Sequence, residues 1–402
     1  MTPPTTTTTT PQPPIAIVGA GPSGLILARL LENAGIAYTV FDRDASASSS
    51  GGQGGTLDIH VADGQQALKE AGLISQFRAR ARGDSPTIMM DKTGKVFLDS
   101  AMFASQEVEG EKAHADRPEI DRRDLRDLLL GSIPEGRVRW GVRVQEVFRG
   151  QDGLMGIRFV DGRVEAGFRL VVGADGAWSK VRRLVTSAKP QYSGFHFLTT
   201  IIKPSNPYHS AAASVAGKGM NMMCAHEKQV VMVKLGDESY YVGVAMALPE
   251  SWRQENADLL ANPSQLGAAL VRDYLADWPQ AQKDVVGHAD EQFRPWPLYA
   301  MPTESLSWET VPGVALVGDA AHLTTPFVGE GVNCAMYDSL QLAQQIVKHG
   351  VDDLTAAVAA YEKEMFPRGI DLIQRSAKSG ELLFAPDAPR GWLKHHVGIE
   401  VD

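Results

Sequence analysis

The chain has 402 residues, 44% of them hydrophobic and 22% charged, with a net charge of −9 at pH 7. That length accommodates about two domains and a large core, and the acidic balance speaks against a nucleic-acid or anionic-membrane partner. The two cysteines, Cys224 and Cys334, offer neither a disulfide framework nor a cysteine metal site, which fits a reducing, cytoplasmic setting.

Residues 1–13 run through Thr5 to Thr10 between proline-rich flanks. They carry no basic or apolar signal-like region and are expected to be a disordered tail. No apolar run is long enough to span a membrane. Ile15 to Val18 reads as a buried parallel strand ended by the turn Gly19-x-Gly21-x-x-Gly24. Leu25, Ile26, Ala28, Leu30 and Leu31 then give an amphipathic helix stopped by Gly35, and Tyr38 to Phe41 a second strand. Strand, helix and strand in this order form a right-handed βαβ unit.

Thr87 to Met90 and Val96 to Leu98 flank a Lys92-Thr93-Gly94-Lys95 turn and read as a hairpin. Phe195 to Ile202, Gln229 to Leu235 and Tyr240 to Ala247 are β-rich runs with no helix between them, which predicts an antiparallel sheet. Val314 to Val317 returns to the parallel pattern. Helices are expected over about 332–348, about 353–366 and, past a kink at Pro367, about 368–383. The predicted class is α/β: a Rossmann-like dinucleotide domain made of residues 14–82, 115–183 and 291–331. A substrate domain of 83–114 and 184–290 is inserted into it, and C-terminal helices of 332–402 follow.

Each glycine of the first turn has a physical reason to be there. Gly19 makes the turn, Gly21 lets the backbone approach a pyrophosphate, and Gly24 allows close helix–sheet packing. Asp42 ends the second strand, where an acid can bond a ribose hydroxyl, and Arg43 beside it can cover adenine or a phosphate. The plain alternative is a tight turn with no ligand. Gly54-Gly55-Thr56-Leu57-Asp58-Ile59-His60 is either a flexible loop or a wall of the site. Arg122 and Arg126 lie four apart on a predicted helix capped by Asp121. They suit an anionic group or are simply a solvated helix start. Gly173-Ala174-Asp175-Gly176 ends an apolar strand, a crevice position in an open α/β sheet. Asp319, in Gly318-Asp319-Ala320-Ala321-His322, can accept a hydrogen bond from a ribityl hydroxyl. Pro326 through Gly329, Gly331 and Asn333 enter a helix whose N-terminus would face the pyrimidine side of a flavin ring.

Taken together, Gly19-x-Gly21-x-x-Gly24, Gly173-Ala174-Asp175-Gly176 and Gly318-Asp319-Ala320-Ala321-His322 resemble the three fingerprints of single-component (class A) flavoprotein monooxygenases of the para-hydroxybenzoate hydroxylase fold. Gly54 to His60 and Glu119 to Arg126 make the likeness to TetX-like tetracycline-inactivating monooxygenases the nearest. The resemblance covers about residues 14 to 380. It implies FAD and NADPH as cofactors, O2 and a small molecule as partners, and hydroxylation through a C4a-hydroperoxyflavin with no catalytic residue and no metal. It also implies FAD contacts at Asp42, Arg43, Asp58, Arg122 and Asp319, with Asp175 shared with a transient NADPH site. The region around Gly51 lacks the arginine that those enzymes use for NADPH.

Substrate contacts are expected from Phe197, Leu198, Met232, Tyr241 and Pro326, though the sheet residues could equally be core. Leu198 and Tyr241 fall where TetX-like enzymes place polar groups, which argues against tetracycline and for an aromatic or polyketide-like secondary metabolite. Three rivals share the fold: an FAD oxidase or reductase, a non-enzymatic binding protein, and a halogenase. The last usually carries Trp-x-Trp-x-x-Pro, which Trp296-Pro297-Leu298-Tyr299 does not match.

Overall fold

The computed structural model describes residues 13–49, 54–83, 85–100 and 116–398. The tail through Gln12 and the positions Gly51 and Gly52 lie outside these. In chain order the strands are β1 (Ile15–Val18), β2 (Tyr38–Phe41), β3 (Thr56–Asp58), β4 (Thr87–Asp91), β5 (Val96–Asp99), β6 (Glu119–Asp121), β7 (Val138–Arg139), β8 (Val144–Arg149), β9 (Met155–Phe159), β10 (Val164–Phe168), β11 (Leu170–Gly173), β12 (Gln191–Ile202), β13 (Met220–Ala225), β14 (Lys228–Lys234), β15 (Tyr240–Ala247), β16 (Arg294–Ala300) and β17 (Val314–Leu316). The helices that position the site are α1 (Pro22–Asn33), α2 (Arg122–Leu130), α3 (His209–Ala216), α4 (Pro263–Tyr274), α5 (Gln280–Gly287), α6 (Gly331–His349), α7 (Leu354–Leu383) and α8 (Arg390–His396).

A parallel sheet of order β17-β11-β1-β2-β7 forms the first layer. Every residue of β1, β2, β11 and β17 is buried, as both faces are covered. α1 and α6 pack on this sheet, and their apolar faces join its core together with α7. A second sheet of order β16-β12-β15-β14-β13-β4-β5 carries the hairpin β4–β5 on one side. One of its faces packs against α3, α4 and α5. The other turns towards the parallel-sheet layer and α8.

Two expectations change here. Arg294–Ala300, assigned by sequence to the dinucleotide part, pairs with β12 as the edge strand of the second sheet. Pro295 and Pro297 hide a strand from sequence reading because neither can donate to a ladder. An edge position tolerates them. The two helices expected on either side of a kink at Pro367 form a single helix, α7, through that proline. An interior proline costs about 3 kcal/mol. The buried side of α7 continues unbroken from Met365 to Gly369, Leu372 and Ile373, so packing on both sides of the proline outweighs that cost.

Candidate active site

The glycine turn is built by close approach. Gly19 has φ +110°, and a Cβ there would stand 2.3 Å from the Ala174 carbonyl oxygen. One on Gly24 would stand 2.0 Å from the Gly19 oxygen. Gly21, the residue before α1, faces open space instead. The N–H groups at the start of α1 are therefore approachable by an anion. Asp42 closes the turn from β2: one carboxylate oxygen accepts from Ala20 N–H at 2.6 Å and the other from Asp44 N–H at 2.8 Å. Arg43 is exposed beside it.

The two arginines of α2 diverge. Arg126 donates to the carbonyls of Ala20 and Ala47, pairs with Asp44 at 3.0 Å and covers the Trp140 ring. It fixes the loop after β2. Arg122 lies against Gly54, where a Cβ would meet its chain at 2.4 Å. Its guanidinium acts on Tyr241 and Asp319. Arg122 and Asp319 are both accessible by surface, yet burial is the largest influence on each. They thus line a deep chamber rather than the outer face. Burial raises the Asp319 pKa, while His322, Arg122 and Arg182 pull it back down. Among the described residues, neither Asp319 nor Arg122 has a side-chain hydrogen bond. An accessible carboxylate and guanidinium across a chamber, beside an open glycine turn, fit a flavin dinucleotide.

Sequence reasoning missed several supports of this chamber. Arg182, 4% exposed, donates to the carbonyls of Ala177, Asp319 and Ala320, tying the Asp175 loop to the Asp319 turn. Asp175 itself accepts from Ser179 Oγ at 2.5 Å and Lys180 N–H at 2.7 Å, and burial raises its pKa. The loop from Thr325 to Glu330 is held by α7. Ser376 donates to the Thr325 carbonyl, Ser379 to the Phe327 carbonyl, and Arg375 grips both oxygens of Glu330 at 2.9 and 2.7 Å. These partners lie about 50 residues away in sequence, so no local motif announces them. Pro326 is exposed on this loop and Gly331 opens α6.

Asn333 is placed differently from expectation. It is 0% exposed; its Oδ1 accepts from His60 N–H at 2.8 Å and its Nδ2 donates to the Asp58 carbonyl at 2.9 Å. Its side-chain amide joins α6 to the loop after β3. The Asp58 side chain remains accessible and bonds His60 Nε2 at 2.8 Å.

The second sheet divides the expected substrate residues between its faces. Phe197 pairs with Ala245 and Ile201 with Tyr241. This common face turns to the chamber: Tyr241 stands 3.3 Å from where a Gly55 Cβ would be. Thr199 bonds the Tyr241 hydroxyl and accepts from Trp296 Nε1 at 3.0 Å. Burial raises the Tyr241 pKa, with Thr199 and Arg122 opposing. Leu198 and Met232 are corrected. Both are 0% exposed in the core under α3, α4 and α5, on the opposite face. In a strand a one-residue misalignment reverses the side of the sheet, so Thr199 rather than Leu198 faces the chamber. Leu198→Ala is accordingly expected to cost about 2–5 kcal/mol of stability and leave KM unchanged. Denaturant unfolding and steady-state kinetics on the same preparation check this.

A family model described as FAD binding domain matches residues 12–376. Monooxygenase asqM of Emericella nidulans is 30% identical, over 93% of this chain and 96% of that protein. Klebsiella pneumoniae HpxO complexed with FAD and uric acid superposes with a TM-score of 0.76 at 21% identity, over 96% of this chain and 93% of that one. The tetracycline destructase Tet(55) gives a TM-score of 0.72 at 18% identity, over 96% and 94%. At such identities the two structures speak for the fold alone.

Proposed function

The chain belongs to the FAD binding domain family and is an FAD-dependent monooxygenase; from that premise we propose that it consumes NADPH to hydroxylate a flat, electron-rich aromatic or polyketide-like small molecule. Bound FAD would supply the oxygen chemistry once a nicotinamide has reduced it. The protein's share is binding, orientation and exclusion of water. Gly19, Gly21 and Gly24 with the start of α1 would hold the pyrophosphate. Asp42 and Arg43 would flank the adenosine half, and Asp58, Arg122 and Asp319 the ribityl chain and ring. Asp175 shapes the neighbouring loop, and Gly331 brings the N-terminus of α6 to the far side.

The observation that carries the substrate class is the face bearing Phe197 and Tyr241 opposite Arg122 and Asp319. Two aromatic rings stand there, with Thr199 hydrogen-bonded to the Tyr241 hydroxyl. Such a wall favours a planar ring over a heavily hydroxylated one, whose buried polar groups would go unpaired. Leu198, on the core face, does not bear on tetracycline; Tyr241, on the chamber face, does.

The test is NADPH oxidation across phenols, indoles, polyketides and tetracycline, for the parent and Tyr241→Ala. Stacking contributes about 0.5–1.5 kcal/mol, so Tyr241→Ala is expected to raise KM for a planar phenol or indole roughly 2- to 13-fold. Efficient turnover of tetracycline, or an unchanged KM in Tyr241→Ala, would refute the reading.

NADPH binding is expected to be weak and transient. One Gly-x-Gly-x-x-Gly turn sits between a strand and a helix, and Gly52-x-Gly54 is followed by Leu57 where a third glycine would stand. Calorimetry on the oxidised holoenzyme should find a Kd above about 1 μM. A tight, long-lived NADPH complex would contradict this.

A further inference from the structure

Beneath the Asp319 turn lies a buried ion network. Asp338, 0% exposed on α6, accepts through Oδ2 from the Gly318 N–H at 2.9 Å and from His322 Nε2 at 2.5 Å. Its Oδ1 accepts from Arg368 Nη2 at 2.8 Å. His322 is 1% exposed, with Cys334 Sγ 3.8 Å from the same ring nitrogen. The carbons of His322 also press against Gly369 of α7. His322, Cys334 and Asp338 could face one metal ion. However, the Arg368 guanidinium on the same carboxylate already supplies a cation.

We propose that Asp338 is a positioning residue for flavin binding: through its hydrogen bonds with the Gly318 N–H and His322 Nε2 it fixes the turn so that the Asp319 carboxylate faces the chamber. This rests on the assignment of Asp319 to the flavin. The groups that bear on the turn are His322 on its own element, Arg122 from α2, Arg182 from the Asp175 loop, and Asp338 and Cys334 from α6. Arg368 and Tyr361 of α7 stand behind them. Burial alone would lower the His322 pKa, but the Asp338 charge and hydrogen bond, with Cys334, hold it well above the usual range. Burial would raise that of Asp338, and His322 and Arg368 lower it instead. The sign follows. The His322 contribution is complete below about pH 6.5 and is lost only as pH rises through its raised value. That of Asp338 is complete above about pH 3.9 and is lost only as pH falls through its lowered value. Across the neutral range the pair therefore stays ionised. Asp319 keeps a cation beside it, and a hydrogen bond to an ionised acceptor is roughly twice as strong as a neutral one.

Titration of FAD into apoprotein, read by flavin fluorescence from about pH 6 to about pH 8, tests this without turnover. The parent should change affinity less than about twofold over that range. Asp338→Asn should bind about tenfold more weakly near pH 8 and recover only in part towards pH 6, because burial without the Asp338 charge lowers the His322 pKa. His322→Gln should bind weakly throughout, with no pH dependence. Parent-like affinity in either variant, or an equal pH-independent loss in both, overturns the proposal. Should the variants not fold, nitrogen NMR of the parent decides. One imidazolium among the ten histidines should persist near pH 8, and ten neutral rings there overturn the proposal. Asp319→Ala with unchanged affinity would instead defeat the assignment of Asp319 itself.

Discussion

Asp319→Ala is expected to bind FAD roughly 10- to 150-fold more weakly than the parent, the equivalent of about 1.5–3 kcal/mol for a hydrogen bond to a charged group. The carboxylate stands on the turn after β17, exposed, with no side-chain hydrogen bond among the described residues. Burial raises its pKa, and His322, Arg122 and Arg182 restrain the rise. Removing it leaves three cationic groups around an uncharged turn, so the loss extends beyond one bond. Fluorescence titration of the apoprotein measures the effect. An unchanged Kd would show that Asp319 does not meet the cofactor.

Gly19→Ala is expected to be the most damaging single methyl in the dinucleotide turn. The residue has φ +110°, which an L side chain rarely adopts, and the new Cβ would stand 2.3 Å from the Ala174 oxygen. Strain of about 1–3 kcal/mol adds to overpacking of about 1–3 kcal/mol, a total of about 2–6 kcal/mol. Relief would require β1 and the Asp175 loop to move apart, opening the turn that faces the pyrophosphate. Thermal unfolding should show a lower Tm, and the purified variant should carry little flavin. A variant that is as stable and as yellow as the parent would contradict the geometry.

The parts legible in sequence are those whose meaning is local. A strand, three glycines and a helix within a few residues describe their own geometry, as do the Asp175 and Asp319 turns. What stayed hidden depends on contacts between distant segments. Arg182 reads as one more basic residue until its carbonyl partners at Asp319 and Ala320 are in place. His322, Asp338 and Arg368 become a network only when α6 and α7 pack together. Asn333 lies in the glycine-rich motif, but its amide crosslinks Asp58 and His60. Leu198 shows the limit most sharply: the β12 pattern is legible in the sequence, but a shift of one residue exchanges its chamber face for its core face.

We propose that this FAD-dependent monooxygenase transfers one oxygen atom from O2 to an electron-rich ring at the expense of NADPH. Purified holoenzyme, NADPH and labelled dioxygen, with whichever ring most accelerates NADPH oxidation, test it most directly. A product carrying a single labelled oxygen atom, formed in step with NADPH consumed, is expected. Hydrogen peroxide equal to the NADPH consumed, with no label in any product, would mark an oxidase and contradict it.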